Sequence, residues 1–222
     1  GFVPTLGTLS HGYFDTIELG ADYYTGGVVV EIPGKRRRIA DLELVNPEVS
    51  QTHSDLQIRA IIATECGDIV KTIYINDESE SVSLQYEFPR WVRPVGSVRA
   101  GILTLLPEAF PRNISVQCKN GGKSDETFVL DRFVDHPAAP SSAVSATTGL
   151  GATDGRIRLG ADGRFLQATW DPTQCSVFPM IIHWPQKQRF LTRLVFSLAE
   201  YDETSVEGGK LGSFSLRLTT AD

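Results

Sequence analysis

Four histidines and a scatter of carboxylates are the groups in this chain that could move protons. Their spacing decides how much chemistry can be read from them. His11, His53, His136 and His183 lie far apart, and none recurs at the interval of a zinc-binding helix or finger, so no metal set is expected. Glu87, Glu108, Asp131, Asp171 and Glu200 each stand in or beside an apolar segment, where burial could raise a pKa toward the range of a general acid. Sugar chemistry uses such carboxylates in pairs, one protonated and one ionised. Spacing alone cannot pair them, and an outward strand or turn position accounts for each taken singly. His53 and His183 are the histidines to test first as acid/base partners. No glycine-rich phosphate loop, HExxH helix or GxSxG elbow is present. No catalytic residue is assigned and no cofactor is implied.

Tryptophans beside arginines offer a different kind of site. Trp91 stands in Phe88-Pro89-Arg90-Trp91-Val92-Arg93-Pro94, and His183-Trp184-Pro185 follows the apolar run Phe178 to Ile182. Both fall at strand ends. An exposed indole there would stack on the apolar face of a sugar ring while Arg90, Arg93 or His183 supplied polar contacts. The candidate carbohydrate-binding residues are thus Trp91, Arg90, Arg93, His183 and Trp184. The alternative is that each indole caps a core, as tryptophan commonly does. Trp170 and its neighbours Gln167 to Asp171 read as core.

The elements that must position these groups are strands. In Val82-Ser83-Leu84-Gln85-Tyr86-Glu87-Phe88 apolar and polar residues alternate, as a strand with one buried face requires. Similar segments run from Gly26 to Ile32, Ile39 to Val45, Leu56 to Thr64, Ile69 to Ile75, Val98 to Leu106 and Ile114 to Gln117. After Thr127 come Phe128 to Val134, Arg156 to Leu159, Arg164 to Trp170, Val177 to His183, Phe190 to Ala199 and Phe214 to Leu218. Asp162-Gly163 predicts a hairpin turn, and Asp154-Gly155 opens the strand before it. Pro107 to Phe110 and Pro47 to Gln51 are helical candidates of about one turn each. The fold class is all-β. So many strands exceed what one twisted sheet holds, which predicts a large antiparallel two-sheet β-sandwich.

All-β sandwiches of roughly 200 to 250 residues occur as single units, so residues 1–222 are expected to form one domain. Asp135 to Gly149 has linker-like composition and is read as a long surface loop rather than a boundary. Hydrophobic residues make up 41% and charged ones 22%, with a formal charge of −6. That balance disfavours a polyanion binder. The basic cluster Lys35-Arg36-Arg37-Arg38 follows Pro33-Gly34 and reads as a solvated turn, so no nucleic acid partner is expected. No apolar stretch reaches the roughly 18 to 20 residues of a membrane span, and no membrane partner is expected. Cys66, Cys118 and Cys175 are odd in number and far apart, which argues against a disulfide framework and mildly favours a reducing, cytoplasmic compartment. The chain opens at Gly1 and holds Met180 alone as methionine, which suggests a segment of a longer polypeptide.

Three stretches carry a family resemblance. Ser81 to Gly122 contains Leu84-Gln85-Tyr86-Glu87-Phe88, Arg99-Ala100-Gly101-Ile102-Leu103-Thr104-Leu105-Leu106-Pro107-Glu108-Ala109-Phe110 and Asn120-Gly121-Gly122. The later half has Thr148-Gly149-Leu150-Gly151-Ala152-Thr153-Asp154-Gly155, Arg164-Phe165-Leu166-Gln167-Ala168-Thr169-Trp170 and Phe178-Pro179-Met180-Ile181. Tyr13 to Glu31, with Tyr24-Thr25-Gly26-Gly27, reads like a first hairpin. Together they resemble the supersandwich domains related to galactose mutarotase. In particular they are similar to the accessory β-domains that follow the catalytic barrel in glycoside hydrolases of family 57 and α-mannosidase-like enzymes. The resemblance implies a non-catalytic, carbohydrate-associated domain of a larger glycan-processing enzyme, partnered by carbohydrate or by the parent's catalytic domain. It also admits an aldose 1-epimerase-like enzyme with a histidine acid and a glutamate base. A protein-interaction domain is the third possibility.

Overall fold

A computed structural model describes residues 4–9, 24–91, 94–110, 114–131, 149–185, 190–202, 204 and 210–221. Within them the strands are β1 (Gly27–Ile32), β2 (Arg37–Ala40), β3 (Glu48–Gln51), β4 (Asp55–Thr64), β5 (Gly67–Asn76), β6 (Ser81–Glu87) and β7 (Gly96–Leu105). They continue as β8 (Ser115–Cys118), β9 (Glu126–Val129), β10 (Arg156–Ala161), β11 (Arg164–Thr169), β12 (Phe178–Pro185), β13 (Phe190–Tyr201) and β14 (Phe214–Ala221). Short 3-10 turns occupy Pro33–Lys35 and Pro107–Ala109. The expected single turn at Pro107 is therefore present.

The strands form two antiparallel sheets packed as a sandwich. One is five-stranded in the order β12-β13-β7-β1-β2, the other nine-stranded in the order β3-β4-β5-β6-β14-β11-β10-β8-β9. Each sheet draws strands from both sides of residues 135–149, most of which lie outside the described residues.

Local sequence explains the placement of individual strands. β6 buries Leu84 and Tyr86 while Ser83 and Gln85 face out, the alternation of a half-buried strand. β13 is buried from Phe190 to Ala199, as a central strand covered on both faces must be. β12 carries Pro179 and Pro185 and is the edge strand beside β13, its other side meeting only the isolated Gly149–Met180 bridge, a position where prolines are tolerated. Between β10 and β11, Asp162 at φ +51° and Gly163 at φ +79° make the tight turn closed by Ala161 opposite Arg164, as expected for that dipeptide.

Two expectations are corrected. Pro47 to Gln51 is no helical turn, because Glu48–Gln51 pairs residue for residue with β4 and ladder hydrogen bonds override a weak local preference. The strand expected from Ile39 to Val45 ends at Ala40. There the Asp41 carboxylate turns inward and accepts the Val28 N–H at 2.9 Å.

Facing apolar side chains of the two sheets form one core. Phe196 of β13 meets Phe214 of β14 at 5.5 Å between ring centroids, and Tyr86 stacks on Phe214 at 6.0 Å. Trp170 packs edge-on against Phe196 at 5.3 Å, the core role expected of it. The Lys35 to Arg38 cluster is exposed around the β1–β2 turn. All three cysteines are free. Among the described residues, no helix is long and apolar enough to cross a membrane.

Candidate functional site

The structure puts the predicted aromatic and histidine residues in different places. Trp91 is fully buried. Its Nε1 donates a 2.8 Å hydrogen bond to the Asp68 carbonyl, and its ring meets Phe88 edge-on at 5.1 Å. Gly67, at φ +124°, lets the indole approach, since a Cβ there would sit 2.8 Å from Trp91 Cδ1. The expectation of a solvent-facing Trp91 is thus corrected: the indole plugs the β4–β5 end of the core and offers no face to a sugar. Arg90 is exposed with φ +65°. Arg93 lies outside the described residues.

His183 is buried on β12, directly opposite Thr192 of β13. Its Nδ1 is 2.7 Å from Thr192 Oγ1, and its ring lies 5.8 Å from that of Phe190. Burial lowers its pKa against the opposing charge of Asp131, which favours the neutral imidazole. Trp184, the next residue along β12, is half-buried opposite Leu191. Trp91 is bound to β5, the strand that Asp41, just past the edge strand β2, reaches through Lys71, whereas His183 stands on β12 at the other edge of the five-stranded sheet, four strand positions or about 19 Å from β2. These residues do not converge on one site.

Of the carboxylates singled out in the sequence, Glu87, Glu108, Asp131 and Asp171 are exposed. Hydrogen bonds from the Thr173 hydroxyl and backbone lower the pKa of Asp171. Glu200 behaves differently. It lies near the end of β13 with a side chain 15% exposed, and burial raises its pKa although Ser197 and Arg99 act the other way.

Strand register builds a polar cluster around Glu200. Arg38 of β2, Glu31 of β1, Ser97 of β7 and Glu200 of β13 are successive cross-strand neighbours. Arg99, two residues along β7 and so on the same face as Ser97, reaches both acids: Nη1 is 3.4 Å from Glu31 Oε2 and Nε is 3.5 Å from Glu200 Oε1. Ser197 Oγ donates to Glu200 Oε1 at 2.7 Å, and Arg38 Nε lies 3.6 Å from Glu31 Oε1. Gly96 permits the crowding at this end of β7. Its φ is +147°, and a Cβ would strike the Glu31 carbonyl oxygen at 2.0 Å.

This cluster alternates guanidinium donors with carboxylate acceptors and adds a hydroxyl, a set suited to a polyhydroxylated ligand. A carboxyl with a raised pKa can also give or take a proton. Among the described residues no histidine is beside it: Thr192, opposite His183, is eight residues from Glu200 on the same strand, about 25 Å. His53 is exposed in the turn between β3 and β4. Among the described residues no group of three or more His, Cys, Asp or Glu side chains could hold a metal. Of the cluster, Glu200 alone stands out in the sequence as a group for chemistry, and Arg38 reads there as part of a solvated turn. Single charges inside apolar runs, Glu31 after Val28-Val29-Val30 and Arg99 between Val98 and Ala100, were the available signal.

No model of a known protein family matches the chain, and no curated protein matches it. Solved structures do. The α-N-acetylgalactosaminidase NagBb from Bifidobacterium bifidum, in complex with GalNAc, superposes with a TM-score of 0.58 at 14% identity over 88% of this chain and 30% of that one. Its ligand-free form gives 0.54 at 12% identity over the same shares. A putative aldose 1-epimerase from Escherichia coli gives 0.46 at 10% identity over 81% of this chain and 69% of that one, too slight a likeness to argue from. The chain spans 30% of the length of NagBb. At these identities the likeness is one of architecture, a two-sheet β-sandwich consistent with the galactose mutarotase-like domains that the sequence resembles.

Proposed function

We propose that this chain is a non-catalytic, carbohydrate-associated domain of a larger glycan-processing enzyme, one that buttresses a catalytic domain and contributes sugar contacts. One observation carries the reading: the chain's fold matches a part, 30%, of a glycosidase that binds GalNAc in its solved complex. The polar cluster of Glu31, Arg99, Ser197 and Glu200 supports it, because those groups match sugar hydroxyls in donors and acceptors. The narrower likeness to family 57 and α-mannosidase-like enzymes belongs to the same proposal. The partner is a glycan or the parent's catalytic domain.

The separation of His183 from Glu200 favours this reading over an aldose 1-epimerase-like enzyme. Polarimetry on α-glucose and α-galactose tests the choice. Anomer interconversion at the buffer rate is expected; acceleration lost in His53→Ala or Glu200→Gln would replace the accessory role by an enzymatic one. Calorimetric titration with neutral oligosaccharides tests the sugar contact, using Arg90→Ala, Trp184→Ala and Arg99→Ala to locate it. Binding undisturbed by Arg99→Ala would move the contact away from the cluster.

A further inference from the structure

The outer face of the nine-stranded sheet carries a second polar surface. Register places Gln57, Tyr74, Ser83, Arg217, Thr169 and Arg156 side by side on six consecutive strands, β4, β5, β6, β14, β11 and β10. They lie on the face opposite the buried Leu84, Leu216, Leu218, Ala168 and Ile157 of the same strands. At about 4.8 Å between neighbouring strands the row is roughly 24 Å long. It holds no carboxylate, in a chain with a formal charge of −6. The only aromatic ring in the row, Tyr74, is 39% exposed. Arg217 is exposed, and Arg156 is held by two 2.9 Å contacts from Nη2 to the Asp125 carboxylate. The parallel row beside it has similar groups in Asn76, Thr219, Gln167, Arg158 and Gln117, with Ser81 buried between Asn76 and Thr219.

An edge-to-edge series of amide, hydroxyl and guanidinium groups presents donors and acceptors at a regular interval, and Tyr74 adds a flat apolar surface with a polar tip. We infer that this row binds an extended neutral oligosaccharide chain, several sugar units lying across the strands with one ring stacked on Tyr74. The inference rests on the carbohydrate-associated reading above and assigns it a second surface, on the opposite sheet from the Glu200 cluster. A row of weak, repeated contacts holds a chain better than a single sugar, because each added unit occupies further groups without a new association cost.

Calorimetric titration of the whole chain with maltohexaose and mannohexaose, and with glucose and mannose, tests this. A hexasaccharide is expected to bind at least about tenfold tighter than its monosaccharide. Tyr74→Ala is expected to weaken it about tenfold, as loss of one aromatic contact with its area does. Arg217→Gln should weaken it severalfold, and Tyr74→Phe should stay within about threefold of wild type. These side chains face solvent, so thermal midpoints serve as the folding control. Hexasaccharide binding that ignores Tyr74→Ala and Arg217→Gln overturns the assignment of this face and leaves the carbohydrate reading standing. Equal affinity for the monosaccharide, or binding only to an acidic chain such as oligogalacturonate, overturns the neutral-chain inference. No binding to any sugar overturns both.

Discussion

Lys71 of β5 and Asp41, the residue that follows β2, form an ion pair between the two sheets. The Asp41 side chain is wholly buried, and it accepts further hydrogen bonds from the Tyr24 hydroxyl and the Val28 N–H. The Lys71 ammonium lies 5.9 Å from the centre of the Tyr86 ring. With every partner in place the pair fixes how the strand leaving the smaller sheet meets the larger one. Asp41→Ala leaves the partly buried Lys71 ammonium and the Val28 N–H without their acceptor and is expected to cost about 3 kcal/mol of stability, whereas Asp41→Asn with Lys71→Met should cost less than the two single changes summed. Chemical denaturation of the wild type and these four variants checks it.

Trp91→Ala is a core deletion. It removes an indole that fills the β4–β5 end of the sandwich and leaves the Asp68 carbonyl without its donor. A loss of about 3–5 kcal/mol is expected. Gly67→Ala should cost about 1–3 kcal/mol through its positive φ and its clash with the same ring. Denaturation midpoints read both, and sugar affinity per folded molecule should be unchanged in either.

His183 makes stability depend on pH. Burial depresses its folded-state pKa below the ordinary value of 6.5, so the unfolded chain binds the proton more readily. The contribution is fully present above pH 6.5 and is lost as pH falls through the folded-state value. His183→Gln should flatten the stability profile on the acid side of pH 6.5. An unaltered profile would show that the imidazole is already free to charge in the fold.

Glu200 has the opposite sign. Its folded-state pKa is raised above the ordinary 4.5, so its contribution is present below pH 4.5 and is lost as pH rises through the folded-state value. Glu200→Gln should remove that decline, seen as a smaller drop in thermal midpoint between pH 4.5 and neutrality.

The architecture was readable in the sequence because alternation is a local signal. Val82 to Phe88 declared its buried face, and Asp162-Gly163 its reversal. The strand boundary at Ala40 was not readable, because it depends on Asp41 finding Lys71 thirty positions along the chain. The site residues failed for a similar reason. Trp91 and His183 looked like strand-end residues free to meet a ligand, yet each is closed over by groups distant in sequence or on a neighbouring strand. The Glu31, Arg99 and Glu200 cluster is made by register between β1, β7 and β13, which no spacing within one segment encodes.

The most direct test of the account is amide chemical-shift mapping of the labelled chain during titration with neutral hexasaccharides. Saturable shifts are expected around Arg99 and Glu200 or along β5 and β14 near Tyr74 and Arg217, with the amides around the buried Trp91 unmoved. A titration that shifts no amide, or that shifts only residues lining the interior between the sheets, would contradict it.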